Sequence, residues 1–131
     1  MPERPQRRVR FVQAELQRLS AAACMARVEL ERREAGGYVG TAVASEAEGL
    51  RATAKAAADA LMQAAASDHV LEVHDVKLLN VFGRLTVVVQ VGAKQQERWV
   101  SLMGFCVAGQ DPTRAAALAV LHATNRVLDA G

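Results

Sequence analysis

Apolar and polar residues alternate along several segments of the chain, most strictly over residues 26–33. There Val28 and Leu30 fall on one side, and Arg27 and Glu29 fall on the other. A period of two is typical of a strand with one buried and one solvated face. Weaker alternation and a turn signal in EAGG complete the pattern. It predicts three strands before the first helix, over residues 9–17, 26–33 and 38–44.

The first of two alanine-rich stretches follows the motif SEAE. Ser45 and Glu48 have the spacing of a capping box. In that motif the first side chain accepts a hydrogen bond from the backbone amide three residues on, and the second side chain accepts one from the backbone amide of the first residue. Apolar residues then recur every three or four positions to about Ala66. This periodicity predicts an amphipathic helix whose buried face is mostly alanine.

The second half of the chain repeats this order. The alternation over residues 70–79 changes parity near His74 and Asp75, which predicts a β-bulge there. Asp111 followed by Pro112 predicts the start of the second helix, because proline lacks the amide that would be unpaired at that position. The three predicted strands cover residues 70–79, 85–92 and 98–108, with a turn around Gly83.

Two similar pentapeptides, GTAVA at residues 40–44 and GFCVA at residues 104–108, mark an internal repeat. Overlaying them places Gly40 on Gly104, and a shift of one residue before the helix places Ala60 on Ala123. The repeat predicts an α+β fold of two βββα units, with one six-stranded antiparallel layer and both helices on one face. Chance convergence of alanine-rich helices and valine-rich strands is the alternative explanation.

This βββα–βββα order, the paired glycines and the ending HATNRVL resemble the C-terminal regulatory domain of 2-isopropylmalate synthase, over about residues 27–128. The resemblance implies a domain that dimerises and binds a small metabolite, which in that family is leucine. The chain contains no catalytic barrel, so the resemblance implies a stand-alone domain. No leucine-contacting residue can be assigned from it.

Length and charge predict one domain with a short basic arm. The chain has 131 residues and a net charge of +2. Residues 1–8 are predicted to be a flexible basic arm, followed by one domain with repeats over about 9–67 and 68–131. Phosphate binding by this arm defines the alternative function, a nucleic-acid or ribosome-associated module. The residues assigned to it are Arg4, Arg7, Arg8 and Arg10.

No feature of the sequence predicts export or membrane insertion. The basic start is followed by FVQAELQRL, which is too polar for a signal peptide. No apolar run reaches the roughly 18 residues that a membrane span needs. Cys24 and Cys106 are predicted to be free, small apolar residues rather than a disulfide. These features together predict a soluble cytoplasmic protein.

The polar residues form no pattern that predicts catalysis, a metal or a cofactor. Glu72 and His74 would share a strand face, as two metal ligands do, but no third ligand is evident. Asp59 and His122 align in the two repeats and are interpreted as surface residues. The glycine-containing segments do not lead into helices, so they are not phosphate loops.

Strands in the second half are apolar on both faces, and helices can cover only one of them. The uncovered face should therefore meet protein or ligand. This predicts a non-enzymatic domain that forms a homodimer and has a regulatory, small-metabolite-binding or protein-binding role. The predicted interface residues are Val88, Trp99, Val100 and Leu102.

Overall fold

The computed structural model describes residues 9–32, 36–65 and 70–130. These residues form six strands and two α-helices in the order βββα–βββα, which confirms the predicted α+β class and the repeat. The elements are β1 (Val9–Arg18), β2 (Ala23–Arg32), β3 (Gly36–Ser45), α1 (Gly49–Ala65), β4 (Val70–Val81), β5 (Arg84–Gln95), β6 (Arg98–Val107) and α2 (Pro112–Ala130).

The strands form two antiparallel three-stranded sheets, which we name sheet A (β1-β2-β3) and sheet B (β4-β5-β6). The predicted single six-stranded layer is therefore wrong: no strand of sheet A pairs with sheet B within the described ranges.

Helix side chains hydrogen-bond to backbone groups on three of the four edge strands. Gln63 donates to the Val39 carbonyl on β3, and Arg51 donates to the His74 carbonyl on β4. On β6, the Phe105 amide donates to Nδ1 of His122. A backbone group that already has a helix side chain as its partner is not available to a further strand.

Each helix packs on one face of its own sheet and also contacts the other repeat. Helix α1 lies against β2 and β3 and contacts β4, whereas α2 lies against β5 and β6 and contacts β1; the helices also contact each other. Alanine dominates the helix side of the core, and valine and leucine dominate the strand side. Small helix residues allow a close approach between helix and sheet, so an alanine-rich helix still builds a dense core.

Gly40 and Gly104 show how close that approach is. A Cβ atom built on Gly40 would lie 2.0 Å from the carbonyl oxygen of Ala56, and one on Gly104 would lie 2.1 Å from that of Ala119. The nearest amides belong to Ala60 and Ala123, respectively. The structure therefore confirms the predicted superposition of the repeats and gives its physical cause, which is contact between strand backbone and helix backbone.

Two-residue turns close both hairpins of sheet B. Phe82 and Gly83 have φ of 52° and 77°, and Gln96 and Glu97 have φ of 48° and 70°. Positive φ at both central residues is the turn geometry that matches the twist of paired strands. The predicted bulge in β4 is also confirmed, because the register with β5 shifts between Val73 and Asp75.

The two helices begin differently. The Asp111 side chain accepts from the Arg114 amide at 3.0 Å, which confirms the predicted cap of α2. The predicted capping box at Ser45 is wrong: Ser45 makes no side-chain cap bond, and a 3₁₀ turn over Glu46–Glu48 precedes α1. Ser45 thus precedes a 3₁₀ turn rather than the α-helix, which begins at Gly49 directly after this turn.

Candidate binding face

Each sheet has a side that faces the helices and an opposite side, which we call its outer face. On the helix side of sheet B, Val87, Val89 and Val91 are fully buried. The neighbouring positions along β5 and β6 point the other way. The outer face of sheet B at the β5–β6 pair carries Thr86, Val88, Gln90, Gly92, Lys94, Trp99, Ser101, Met103, Phe105 and Val107.

Four side chains on this outer face are large, apolar and exposed. Met103 is 67% exposed, Phe105 59% and Trp99 51%, and Val107 is also exposed. Scattered exposed apolar side chains are normal on protein surfaces, but a continuous patch on one sheet is a feature of binding surfaces. The structure therefore places a candidate binding face on sheet B.

The outer face of sheet A carries charged side chains on β1 and β2, although β3 exposes Val39 and Val43 there. Arg10 pairs with Glu31, and Arg27 lies 3.6 Å from Glu15 and 3.8 Å from Glu29 between charged atoms. These groups alternate in sign across β1 and β2, so their charges largely compensate each other at the surface. Sheet A presents a solvated face, as the sequence predicted for β2.

Equivalent positions of the two repeats show where the faces diverge. Thr41 pairs with Arg27 in sheet A, and the equivalent pair in sheet B is Phe105 with Val88. The helix-facing neighbours, Gly40 and Gly104, are the same residue type with the same packing. The repeat has thus kept its inner face and replaced a polar outer pair by an apolar one.

An apolar concavity of about 380 Å³ occupies one end of the candidate face. Thr86 on its floor is 4% exposed, and its hydroxyl donates to the Arg84 carbonyl. The concavity therefore offers hydrophobic contact rather than free hydrogen-bonding groups. The residues lining it are Val81, Phe82, Arg84, Thr86, Val88, Met103, Gly104, Phe105 and Val107.

Phe82 lies beside this concavity at the tip of the β4–β5 hairpin. Its side chain is 100% exposed, and its backbone has a φ of 52°. This left-handed conformation costs a residue with a Cβ about 1–2 kcal/mol, and glycine or asparagine is the usual choice in such a turn. The segment NVFGR was predicted only as a turn. An aromatic residue directly before its glycine was the one signal that could have identified Phe82.

A second, more polar concavity of about 350 Å³ lies towards the other end of the face. The imidazole of His74 lies over Gly92, where a built Cβ would be 2.6 Å from its Cε1 atom and 3.3 Å from the Trp99 ring. Nε2 of His74 is 3.2 Å from a Glu72 carboxylate oxygen. Gly92 therefore allows the imidazole to lie flat on the sheet beside the indole.

The four predicted interface residues do not share one face. Val88 and Trp99 lie on the outer face of sheet B. Val100 pairs with Ala93, and Leu102 pairs with Val91, so both point towards the helices. Leu102 packs against the core. The parity assigned to Val100 and Leu102 is therefore wrong, because both faces of β6 are apolar and alternation alone cannot tell them apart.

The residues predicted for nucleic-acid contact lie at the start of the chain. Arg4, Arg7 and Arg8 belong to the predicted arm, which lies outside the described residues. Arg10 lies at the start of β1, where its guanidinium pairs with Glu31 across the sheet. Arg10 therefore belongs to the ion pairs on the outer face of sheet A.

The polar pairs considered for chemistry lie at the surface and have local partners. Asp59 accepts a hydrogen bond from Gln63, and His122 accepts from the Phe105 amide. Glu72 and His74 are adjacent, but the described part of the chain contains no group of three side chains suited to hold a metal ion. Cys24 and Cys106 are both free, as predicted.

Comparison with family models and with curated proteins finds no match to this chain. The resemblance to the 2-isopropylmalate synthase regulatory domain therefore stays a prediction. Within the described ranges, neither helix is long and apolar enough to cross a bilayer.

Proposed function

We propose that this chain is a non-enzymatic, self-associating domain that pairs with a second copy of itself through the outer face of sheet B. One observation carries the proposal: Val88 and Phe105 form an apolar pair where the first repeat has Arg27 and Thr41. The Phe105 ring meets the His122 ring of α2 edge to face, with centroids 4.9 Å apart, yet it remains 59% exposed on a face that the helices do not cover. A partner that buries this face gives the difference between the repeats a physical reason.

Helix side chains already contact the backbone of three of the four edge strands, which disfavours strand addition at those edges. His122, Gln63 and Arg51 already hydrogen-bond to backbone groups of β6, β3 and β4. Association of two faces leaves these bonds intact, whereas a partner strand would displace them.

The whole outer face of sheet B, including the charged positions of β4, reaches the size of a small homodimer interface. Its strands have 12, 12 and 10 residues. At about 3.3 Å per residue and about 4.8 Å between strands, they span roughly 14 by 36 Å, or about 500 Å². Two such faces would bury about 1,000 Å², the lower limit for a specific interface.

The arrangement of charges also favours a second copy. Met103, Phe105 and Val107 form an uncharged strip along β6, whereas Lys77 lies on β4, where it pairs with Val88 across from this strip, and Lys94 pairs with Trp99 at the far end. A twofold contact centred on this strip would avoid opposing like charges.

In this proposal the dimer acts in the cytoplasm as a regulatory or ligand-binding scaffold, the role that the family resemblance implies. The concavity beside Trp99 and His74 supports a ligand-binding role, because it combines an aromatic surface with a carboxylate and an imidazole. Nucleic-acid binding by the N-terminal arm is the alternative. A gel shift unchanged by deletion of residues 1–10 would exclude the arm as its basis.

Sedimentation equilibrium tests the dimer. We expect the wild type to dimerise with a micromolar dissociation constant, and Met103→Glu to weaken dimerisation by about thirtyfold or more, since a charge would be buried in the centre of the contact. Val39→Glu, at the equivalent position of sheet A, is the matched control and should leave assembly unchanged. A wild-type protein that stays monomeric at about 100 µM would refute the proposal.

A further inference from the structure

We infer that Phe82 of each subunit inserts into the apolar concavity of its partner, so that two hairpin tips anchor the dimer reciprocally. This inference rests on the proposed function and specifies its geometry. It explains why a fully exposed aromatic side chain stands beside an apolar concavity that it helps to line.

The local structure of Phe82 points to a partner. Within its own chain the side chain is fully exposed, so it contributes no burial to the fold. Its φ of 52° is unfavourable for phenylalanine. Asparagine before Gly83 would give the Asn-Gly pair that is common in such turns. Contacts made outside its own chain would offset the cost of this strained and solvated position.

The concavity has the chemistry to receive an aromatic ring. Val88, Met103, Phe105 and Val107 supply apolar contacts, and the only buried hydroxyl, on Thr86, is already satisfied by the Arg84 carbonyl. An edge-to-face contact with Phe105 and sulfur contact with Met103 are both favourable for an incoming ring. Arg84 also lines the concavity, and a guanidinium is a favourable neighbour for an aromatic face.

The position of Phe82 beside its own concavity makes the exchange reciprocal. Phe82 is itself among the residues that line the concavity, so the inserting group and the receiving site are neighbours on one surface. A twofold axis passing near the two hairpin tips would then bring each Phe82 to the partner's concavity at once. Such a contact closes on itself and ends at the dimer, whereas a distant site would lead to open chains of subunits.

The concavity offers a free small molecule little to orient it. Small-molecule sites place several polar groups among apolar ones, whereas here the hydroxyl is internally bonded and Arg84 is the charged residue of the lining. A free ligand also leaves the strained turn at Phe82 unexplained. A second copy accounts for both features with residues that the chain itself supplies.

The substitution Phe82→Asn tests the effect of Phe82 on dimerisation separately from its effect on the stability of the turn. Asparagine before Gly83 suits the left-handed turn, so the monomer should unfold at a higher urea concentration than the wild type. The same change removes the aromatic anchor, so the dimer dissociation constant should rise by about thirtyfold or more. A residue with only a structural role would not produce these opposite effects. Phe82→Tyr should keep the dissociation constant within about threefold, because the ring is retained.

Leu19→Asn is the matched control, since Leu19 is another exposed apolar residue but lies in the β1–β2 connection. It should leave the dissociation constant unchanged. A photo-crosslinking benzoylphenylalanine at position 82 should yield a covalent dimer, with the crosslink mapped by mass spectrometry to Val88, Met103 or Phe105 of the second copy.

The possible outcomes distinguish this inference from the proposal beneath it. A wild-type dimer whose dissociation constant is unchanged by Phe82→Asn, but is raised by Met103→Glu, would overturn the anchor and leave the dimer standing. A wild type that is monomeric at about 100 µM would overturn both. A monomer that carries a small apolar molecule in native mass spectrometry would assign the concavity to a ligand instead.

Discussion

Sheets A and B have the same topology but different outer faces. In sheet A, Arg27 pairs with Thr41 and forms ion contacts with Glu15 and Glu29. In sheet B, the equivalent positions are Val88 and Phe105, and Phe105 is largely exposed. Their inner faces remain alike because each must pack against an alanine-rich helix. Helix packing therefore constrains one face of each sheet, and the other face is free to diverge towards function.

The largest expected effect tests what the two repeats share. Gly40→Ala and Gly104→Ala should each lower the free energy of unfolding by about 3 kcal/mol or more, because the new methyl group meets helix backbone that cannot move aside. Urea denaturation measures both. Gly37→Ala is the control, since its Cβ would make ordinary contacts, the nearest at 3.6 Å. Tolerance of alanine at one of the two sites only would show that the repeats pack differently.

A second prediction separates the two faces of β6. Leu102→Glu places a charge on the helix side and should lower the free energy of unfolding of the monomer by about 2–3 kcal/mol. Met103→Glu, one residue along, should change it by less than about 0.5 kcal/mol. Both are measured well below the dimer dissociation constant, where association adds no stability. Equal losses from the two variants would contradict the assigned strand parity.

A smaller difference is expected between the two helix starts. Asp111→Ala removes the side chain that accepts from the Arg114 amide and should cost about 1 kcal/mol. Ser45→Ala should change stability by less than about 0.3 kcal/mol, because Ser45 makes no cap bond. Thermal unfolding of both variants distinguishes a capped from an uncapped start. A loss of stability on Ser45→Ala as large as that on Asp111→Ala would show that Ser45 caps the helix after all.

The smallest effect concerns the solvated face of sheet A. Arg10→Ala breaks the ion pair with Glu31, whose side chains are 76% and 41% exposed. Exposed pairs contribute little, so we expect a loss below about 1 kcal/mol that decreases further in added salt. Urea denaturation at low and high salt measures it. A larger, salt-insensitive loss would mean that the charges of sheet A hold the fold together.

Local patterns in the sequence were sufficient to predict much of this fold. Strict alternation in β2, proline after Asp111 and the parity change near His74 each reflect interactions between residues close in the chain. The repeat was also visible, because Gly40 and Gly104 meet the same steric demand from their helices. The helix start at Ser45 was predicted wrongly, since a 3₁₀ turn and a capping box share the same short polar residues.

Tertiary structure alone decided the number of sheets and the composition of the candidate face. Gln63, Arg51 and His122 reach the strand edges only after folding. Leu102 and Met103 are both apolar, so only contact with α2 shows which of them is inside. Phe82 and the concavity come together because the turn and the distant strand β6 meet on one surface. Short-range periodicity encodes the elements, whereas a surface made from separate strands exists only once those strands are packed.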